Sequence, residues 1–486
     1  MPKFVFLWTD LVLWLVVAIV IGYIAHVRRS PNLRATWRHV LRSAPAMSAA
    51  VVLIAFITIA LLDSIHFRPR LSAAPGAAPD VQEAYATRTL SPLDVLLRHA
   101  VDAREKTYSV PLAYWSFQRE TAVIDGKEVR ELPRLAHGGA HLQDPARDWK
   151  PDLVARSVRG LGGGLMAAAL LALVIAVVRS RGTGWRASLG AMLRAETEVP
   201  WRAILVTAML IAMFIGWLAA VWPVYHPFGT DRTGNDVLFQ ALKSIRTAVV
   251  IGSLSTIATL PLAIALGVLA GYFKGWVDDV IQYFYTVLSA IPPILLVAAF
   301  VLLINVYIDR NAENFATGVE RAEFRLFLLC VILGITGWAT LCRLLRAETL
   351  KISELEYVQA AHAFGVSHWR IMARHILPNV MHLVLIVAVL DFSALVLYEA
   401  VLSYVGVGVD PNSSSFGSMI NLARSEMSRD PVVWWNLATA FTFMLALVLA
   451  ANLFADAVRE AFDPRARAFR PRRIRLKEAT CTPMPC

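Results

Sequence analysis

Nine apolar runs of about 20 residues divide the chain, at roughly 5–26, 46–65, 160–178, 203–222, 247–272, 280–305, 324–342, 380–405 and 433–455. A helix rises about 1.5 Å per residue, so each run is long enough to cross a hydrocarbon core of about 30 Å. Inside lipid every backbone N–H and C=O must be paired, which leaves helices and closed barrels as the spanning structures. A barrel would alternate apolar and polar positions over about ten residues, and these runs do not alternate. The expectation is an all-α, polytopic helical membrane protein with about nine transmembrane helices. The balance of residues agrees: 57% are apolar and 17% charged, and mean hydropathy is +0.55. The first run, Phe4 to Ile24, is long and lacks a basic leading region, so it reads as a true span rather than a cleaved signal.

The net charge is +11. In a soluble protein such a surplus suggests nucleic acid. Here no aromatic-plus-basic platform for single strands is present, and basic residues have another use, marking cytoplasmic loops. With the N-terminus outside, the inside segments carry 24 Lys and Arg and the short outside segments carry 8. That bias puts the N-terminus outside and the C-terminus in the cytoplasm. Segment 66–158 is left out of the comparison because long loops cross regardless of charge.

That long segment divides the chain. It opens with an Ala/Pro-rich stretch, Ser72 to Asp80, has a turn expected at Asp125-Gly126, and nearly balances 13 basic against 12 acidic residues. It reads as a small extracytoplasmic domain with no evident chemistry. The resulting organisation is two spans in 1–65, the outside insert 66–158, a third span and cytoplasmic linker in 159–202, a six-span core in 203–464 and a basic cytoplasmic tail in 465–486. Seven basic residues between Arg465 and Lys477 suit a solvated tail near anionic lipid. The cysteines are Cys330, Cys342, Cys481 and Cys486, none in the insert, so no disulfide framework is expected.

Three places break the apolar pattern. His226 to Ala248 reads as a turn cluster followed by an interfacial helix on the outer face. Its Asp231, Arg232 and Asp236 read as a solvated turn with helix-capping carboxylates. One Asp-x4-Asp pair without His or Cys is a poor metal signal. The sixth span carries Pro292 and Pro293, which interrupt the helical hydrogen-bond ladder. A membrane tolerates that where protein or water covers the freed carbonyls. The eighth span contains Asp391 and Glu399, and charges are costly in lipid. Asp391, near mid-membrane, suits a pathway lining and a structural hydrogen bond equally. Glu399, nearer the outer end, suits a structural or snorkelling role. Pro292, Pro293, Asp391 and Glu399 are the translocation-path candidates.

The polar island Ser353 to Asn379 lies between the seventh and eighth spans, on the cytoplasmic side by the charge count. Ser353 and Glu356 have the spacing of a capping box, so a helix is expected to start there. Gly365 suits its left-handed end. Ser367 suits the cap of a second helix, and Pro378 its stop. The expectation is a two-helix hairpin for docking a partner.

This island, YVQAAHAFGVSHWRIMARHILPN, resembles the EAA loop of ABC importer permeases, with Ala360, Ala361, Gly365, Leu377 and Pro378 in the family's frame. HPFGTDRTGNDV, AGYFKGWVDD, AIPP and EAVLSYVGVGV resemble blocks of the oligopeptide/dipeptide/nickel permease family, specifically its C-type subunit, in the same order. The likeness covers roughly 203–464 and leaves residues 1–200 unexplained. Gln359 stands where the family has the glutamate that names the loop. His375 occupies the place of a usual isoleucine, with Ile376 beside it.

The resemblance implies a non-catalytic permease subunit in a bacterial plasma membrane, with an ABC type I importer core. It implies two ABC ATPase subunits, a second homologous permease, an extracytoplasmic substrate-binding protein, and peptides or similar small solutes as cargo. No G-x4-G-K-[ST] loop occurs in the chain, so ATP would be bound by the partner ATPases. The ATPase-docking residues would be Tyr357, Gln359, Ala360, Ala361, Phe364, Gly365, Leu377 and Pro378, by helix-in-groove recognition. No catalytic residue, metal site, cofactor or nucleic-acid partner is expected. A membrane-embedded enzyme using Asp391, Glu399, His362, His368 and His375 is disfavoured, because those groups lie at different sides or depths. An ion-coupled transporter is disfavoured for want of an internal repeat.

Overall fold

The computed structural model describes residues 3–70, 85–86, 89–124, 127–180, 184–194, 196–315, 317–410 and 413–462. The Ser72–Asp80 stretch, the Asp125-Gly126 turn and the basic tail lie outside them. Nine helices among the described residues are long and apolar enough to cross a membrane, which agrees with the all-α, nine-span expectation.

The described part of the first 200 residues, the extension, precedes the six-span core expected from the sequence. A short strand, β1 (Lys3–Val5), precedes α1 (Trp8–Arg29), α2 (Pro31–Arg42) and α3 (Ala44–Asp63). Strand β2 (His66–Arg68) then pairs antiparallel with β1, Lys3 facing Arg68, so the chain's start sits beside the insert's start. The insert contains α4 (Pro92–Leu96), α5 (Arg98–Asp102) and a hairpin of β3 (Glu120–Ile124) and β4 (Lys127–Glu131). Next come α6 (Pro145–Arg179) and α7 (Trp185–Leu193). The third span is therefore the end of a helix that begins fifteen residues earlier, inside the insert.

The core begins with α8 (Trp201–Val221) and α9 (Val237–Phe273). Helix α9 is unbroken, so the helix expected before the fifth span forms and is continuous with that span. Its first turns, Val237, Leu238, Ala241 and Ile245, are buried on neighbouring elements rather than lying on a membrane surface. The sixth span is two helices, α10 (Gly275–Ala290) and α11 (Pro293–Arg310), parted at Ile291-Pro292. Helix α12 (Gly318–Ser353) follows, then α13 (Glu356–Ala363) and α14 (His368–Ile371). After them come α15 (Leu377–Tyr404), α16 (Phe416–Glu426) and α17 (Trp435–Phe462). At 37 and 36 residues, α9 and α12 are each about 55 Å long and overreach the hydrocarbon.

Small residues let the backbones close. A methyl group on Gly164 of α6 would stand 2.4 Å from the Ala212 carbonyl oxygen of α8, and one on Gly216 2.5 Å from the Gly160 oxygen. This is small-xxx-small packing, which is favoured in lipid because hydrophobicity gives helices no reason to associate there. The same device joins α9 and α12, where a methyl on Gly334 would lie 2.3 Å from the Ala258 Cβ.

Buried charges bind the extension to the core. Arg246 of α9 reaches Asp10 of α1 at 2.5 Å and Glu323 of α12 at 2.7 Å. Asp10 also meets His66 at 2.7 Å. Lys243, one turn earlier, pairs with Asp63 at 2.7 Å and Asp94 at 2.8 Å. The two cations on α9, half-buried Lys243 and buried Arg246, thus find carboxylates that precede α9 by more than 140 residues in sequence.

Asp231 and Asp236 in the turn before α9 are buried, contrary to the solvated expectation, whereas Arg232 is exposed as expected. Asp236 caps α9 by accepting from the Phe239 N–H, and also accepts from His226 at 2.8 Å and Trp222 at 3.1 Å. Asp231 accepts from the N–H groups of Thr233 and Asn235. His226 Nε2 lies 3.5 Å from Glu105 of the insert, which itself accepts three backbone N–H bonds from Ala136, His137 and Gly138. Burial presses the His226 imidazolium downward, but the two carboxylates outweigh it and raise the group to about 9. A raised cation stabilises fully below its ordinary value near 6.5 and loses that contribution as pH climbs through about 9. The thermal midpoint is therefore expected to fall between pH 7 and pH 10, by an amount corresponding to about 3 kcal/mol. His226→Gln is expected to flatten that dependence. An unchanged slope in the variant would refute the assignment.

Candidate functional site

The polar island forms one helix, a corner and a rod continuous with a span. Ser353 is the last residue of α12, and its hydroxyl donates back to the Leu350 carbonyl at 2.7 Å. It therefore prolongs α12 instead of capping α13, which starts at Glu356 with no side-chain cap. At the other end Gly365 has φ +74°. The Val366 N–H bonds to the Ala361 carbonyl and the Gly365 N–H to the His362 carbonyl. That pair of bonds is the Schellman arrangement, and the positive φ is why a glycine stands there. Ser367 occupies the cap position of α14, but its side chain makes no capping bond.

Pro378 does not end a helix. Residues 368–405 form one rod. The proline's missing N–H and ring would disturb the turn before it. That turn is widened into a π segment at Met372–Ile376, where the Leu377 N–H bonds to the Met372 carbonyl five residues back. Such bulges let a helix absorb a misfit without breaking. The expected hairpin is thus a short helix hinged onto the membrane rod itself.

The two faces of α13 differ. Val358 is 3% exposed and joins the inner core with Ile371, Met372 and Ile376. Phe364 is 87% exposed and Tyr357 is 45% exposed, with Gln359 and Ala360 on the open side. Ala361 is half-buried between the two faces. Leu377 is half-buried and Pro378 exposed at the start of α15. Trp369, overlooked in the sequence, is 70% exposed just past the corner. An exposed tryptophan beside an exposed phenylalanine is an uncommon expense for a water-facing loop.

Polar contacts fasten this segment to its neighbours. The Asn379 amide donates to the Tyr357 hydroxyl at 3.0 Å. Tyr272 of α9 bonds His368 at 2.8 Å. Lys274, in the turn between α9 and α10, pairs with Glu354 and draws its carboxyl below the usual range. Gln359 then donates to the Glu354 carbonyl at 3.2 Å, with its Nε2 3.4 Å from the Glu354 carboxylate. A glutamate at 359 would set two carboxylates together, so the amide suits its neighbour. Arg346 clamps Asp278 with two bonds, joining α12 to α10. A push on α13 therefore bears on α9, α10, α12 and α15 together.

A half-open cavity of about 590 Å³ lies between α9, α10, α11, α12 and α15. It lies where α10 and α11 part, with Ser289 and Pro293 in its wall. Asp391, Tyr398, Thr336 and Arg343 also line it. Pro292 sits in the break without lining the cavity, and Glu399 does not reach it. Glu399 is 2% exposed, accepts from the Ser403 hydroxyl at 2.6 Å and lies against Gly417 of α16. It is buried under the outer loop rather than snorkelling. Tyr398 and Arg343 carried no distinguishing pattern in the sequence. Among the described residues no group of three His, Cys, Asp or Glu is placed to hold a metal ion.

Residues 263–468 match the family described as binding-protein-dependent transport system inner membrane components. The chain is 32% identical over 245 residues to the oligopeptide transport system permease protein OppC of Mycobacterium bovis, covering 50% of this chain and 78% of that protein. It is 31% identical over 245 residues to the glutathione transport system permease protein GsiD of Pectobacterium atrosepticum, covering 50% and 74%. The dipeptide transport system permease protein DppC of Lactococcus lactis is 27% identical over 241 residues, covering 50% and 64%.

Proposed function

Since the chain belongs to the family of binding-protein-dependent ABC importer permeases, we propose that it is one of two permeases through which peptides enter the cell, driven by two cytoplasmic ATPases. It is a multi-pass inner-membrane transport subunit and not an enzyme. Peptide cargo is favoured because OppC and DppC carry oligopeptide and dipeptide transport in their names. The observation that carries the reading is the α13 corner. Tyr357, Gln359, Ala360 and Phe364 face outward on a helix tied by hydrogen bonds to α15 and to the end of α12, two of the segments around the cavity.

In this reading ATP binds only to the partner ATPases, whose closure draws two such corners together. Differential binding in the two states supplies the work. The break at Pro292-Pro293 and the cavity beside Asp391 form this chain's part of the path. Non-helical backbone at membrane depth is tolerated where it lines such a space. The charge bias supports an outside N-terminus and a cytoplasmic C-terminus. An extracytoplasmic binding protein delivers the cargo from the insert's side.

Affinity purification of the tagged chain from native membranes is expected to recover both ATPases and a second permease. Proteoliposomes of that assembly are expected to take up a labelled tripeptide only with ATP inside and binding protein outside. Uptake by the isolated chain without ATPases would instead establish a self-sufficient transporter.

A further inference from the structure

Two polar groups in the cavity have no partner among the described residues. Asp391, at the fifteenth of the 28 residues of α15, makes no hydrogen bond or ion pair among the described residues. The buried hydroxyl of Tyr398 likewise has none. Seven residues apart, they lie on one face of the helix, two turns from each other. The single cation in the wall, Arg343, is engaged elsewhere: its guanidinium lies 5.2 Å over the Tyr285 ring and its Nη2 is 3.5 Å from the Ser289 hydroxyl.

An unpaired carboxylate at mid-membrane is costly, and so is an orphaned hydroxyl beside it. The cost falls when a cation with several N–H donors enters. A protonated primary amine brings one positive charge and three donors. The space is ample, since small-molecule pockets run from about 300 to 1,000 Å³. We infer that Asp391 and Tyr398 form a recognition point for the protonated amine of the passing cargo. The path then favours cargo with a free amine over cargo in which that amine is acylated. This rests on the reading that the cavity lies on the path.

The test uses Ala394→Cys, a lining position that leaves both groups in place. The background carries Cys481→Ser and Cys486→Ser, and its remaining Cys330 and Cys342 are buried. In the assembled importer the cationic reagent 2-aminoethyl methanethiosulfonate is compared with the anionic 2-sulfonatoethyl methanethiosulfonate. Rates are taken relative to those with a free thiol. The cationic reagent is expected to react about tenfold faster or more. Asp391→Asn is expected to bring the ratio near one, whereas Asp391→Glu keeps most of it. Labelling is expected to stop uptake of trialanine.

A ratio near one with Asp391 present, or no reaction at all, overturns the proposal. So does a preference seen in the isolated chain but lost in the importer, because a basic side chain of the second permease then occupies Asp391. If the preference holds and labelled importer still takes up trialanine, the site lies off the path. In that case the path reading fails, and the proposal fails as a statement about cargo.

Discussion

Arg246→Met is expected to destabilise the chain by about 3–5 kcal/mol, the usual cost of breaking a buried ion pair from one side. Arg246 is 4% exposed and holds Asp10 and Glu323, which the substitution strands without a cation. Asp10 keeps His66 as a partner, so the larger loss is at Glu323. The thermal midpoint of the purified chain, followed by tryptophan fluorescence, is the readout. Adding Glu323→Gln is expected to recover much of the loss, because it removes the stranded charge. A double-mutant cycle isolates that coupling. Strict additivity of the two substitutions would show that the ion cluster is not the bond between extension and core. The same cluster predicts that the core expressed from residue 201 onward accumulates poorly. Lys243 and Arg246 would then lose Asp10, Asp63 and Asp94 together.

Phe364→Asp is expected to leave membrane insertion and accumulation unchanged while recovery of the ATPases falls by a factor of about 30 to 1,000. That range is the fold-change for an aromatic anchor worth about 2–4 kcal/mol at an interface centre. The ring is 87% exposed, so its removal from the free chain costs little. Phe364→Leu is expected to keep part of the recovery. Removing Gly365 to Pro378 as a block would be a poorer experiment, since it also deletes Ile371, Met372 and Ile376 from the inner core. Undiminished ATPase recovery from the Phe364→Asp protein would sink the docking assignment.

Much of the site was legible because its grammar is local. Gly365 stands at a positive φ because a Schellman end needs it, and the four or five residues around it suffice to say so. The double proline likewise announced a break in its own helix. Local rules failed where a competing local bond or a neighbour intervened. Ser353 had an alternative acceptor in the Leu350 carbonyl, and Pro378 was absorbed by a π turn. Asp231 and Asp236 are buried against expectation because their cover, Glu105 and its loop, lies more than 120 residues earlier.

The sequence by itself determined which segments cross the membrane, and through basic residues how they are expected to be oriented. Hydropathy and positive charge act segment by segment, so their effects add along the chain without knowledge of the fold. It also determined that a cap-forming corner follows the seventh span. Only the tertiary structure decided which face of α13 is open, which acid faces a cavity, and that the extension neutralises the core. Those are pairings, and pairing is not local. Asp10 and Arg246 are 236 residues apart, and neither one's neighbours name the other. Asp391 and Glu399 look alike in one apolar helix, yet one lines a cavity and the other is sealed against Ser403 and α16. What separates them is the packing of distant helices, since in a low-dielectric interior a charge's role is set by what stands against it.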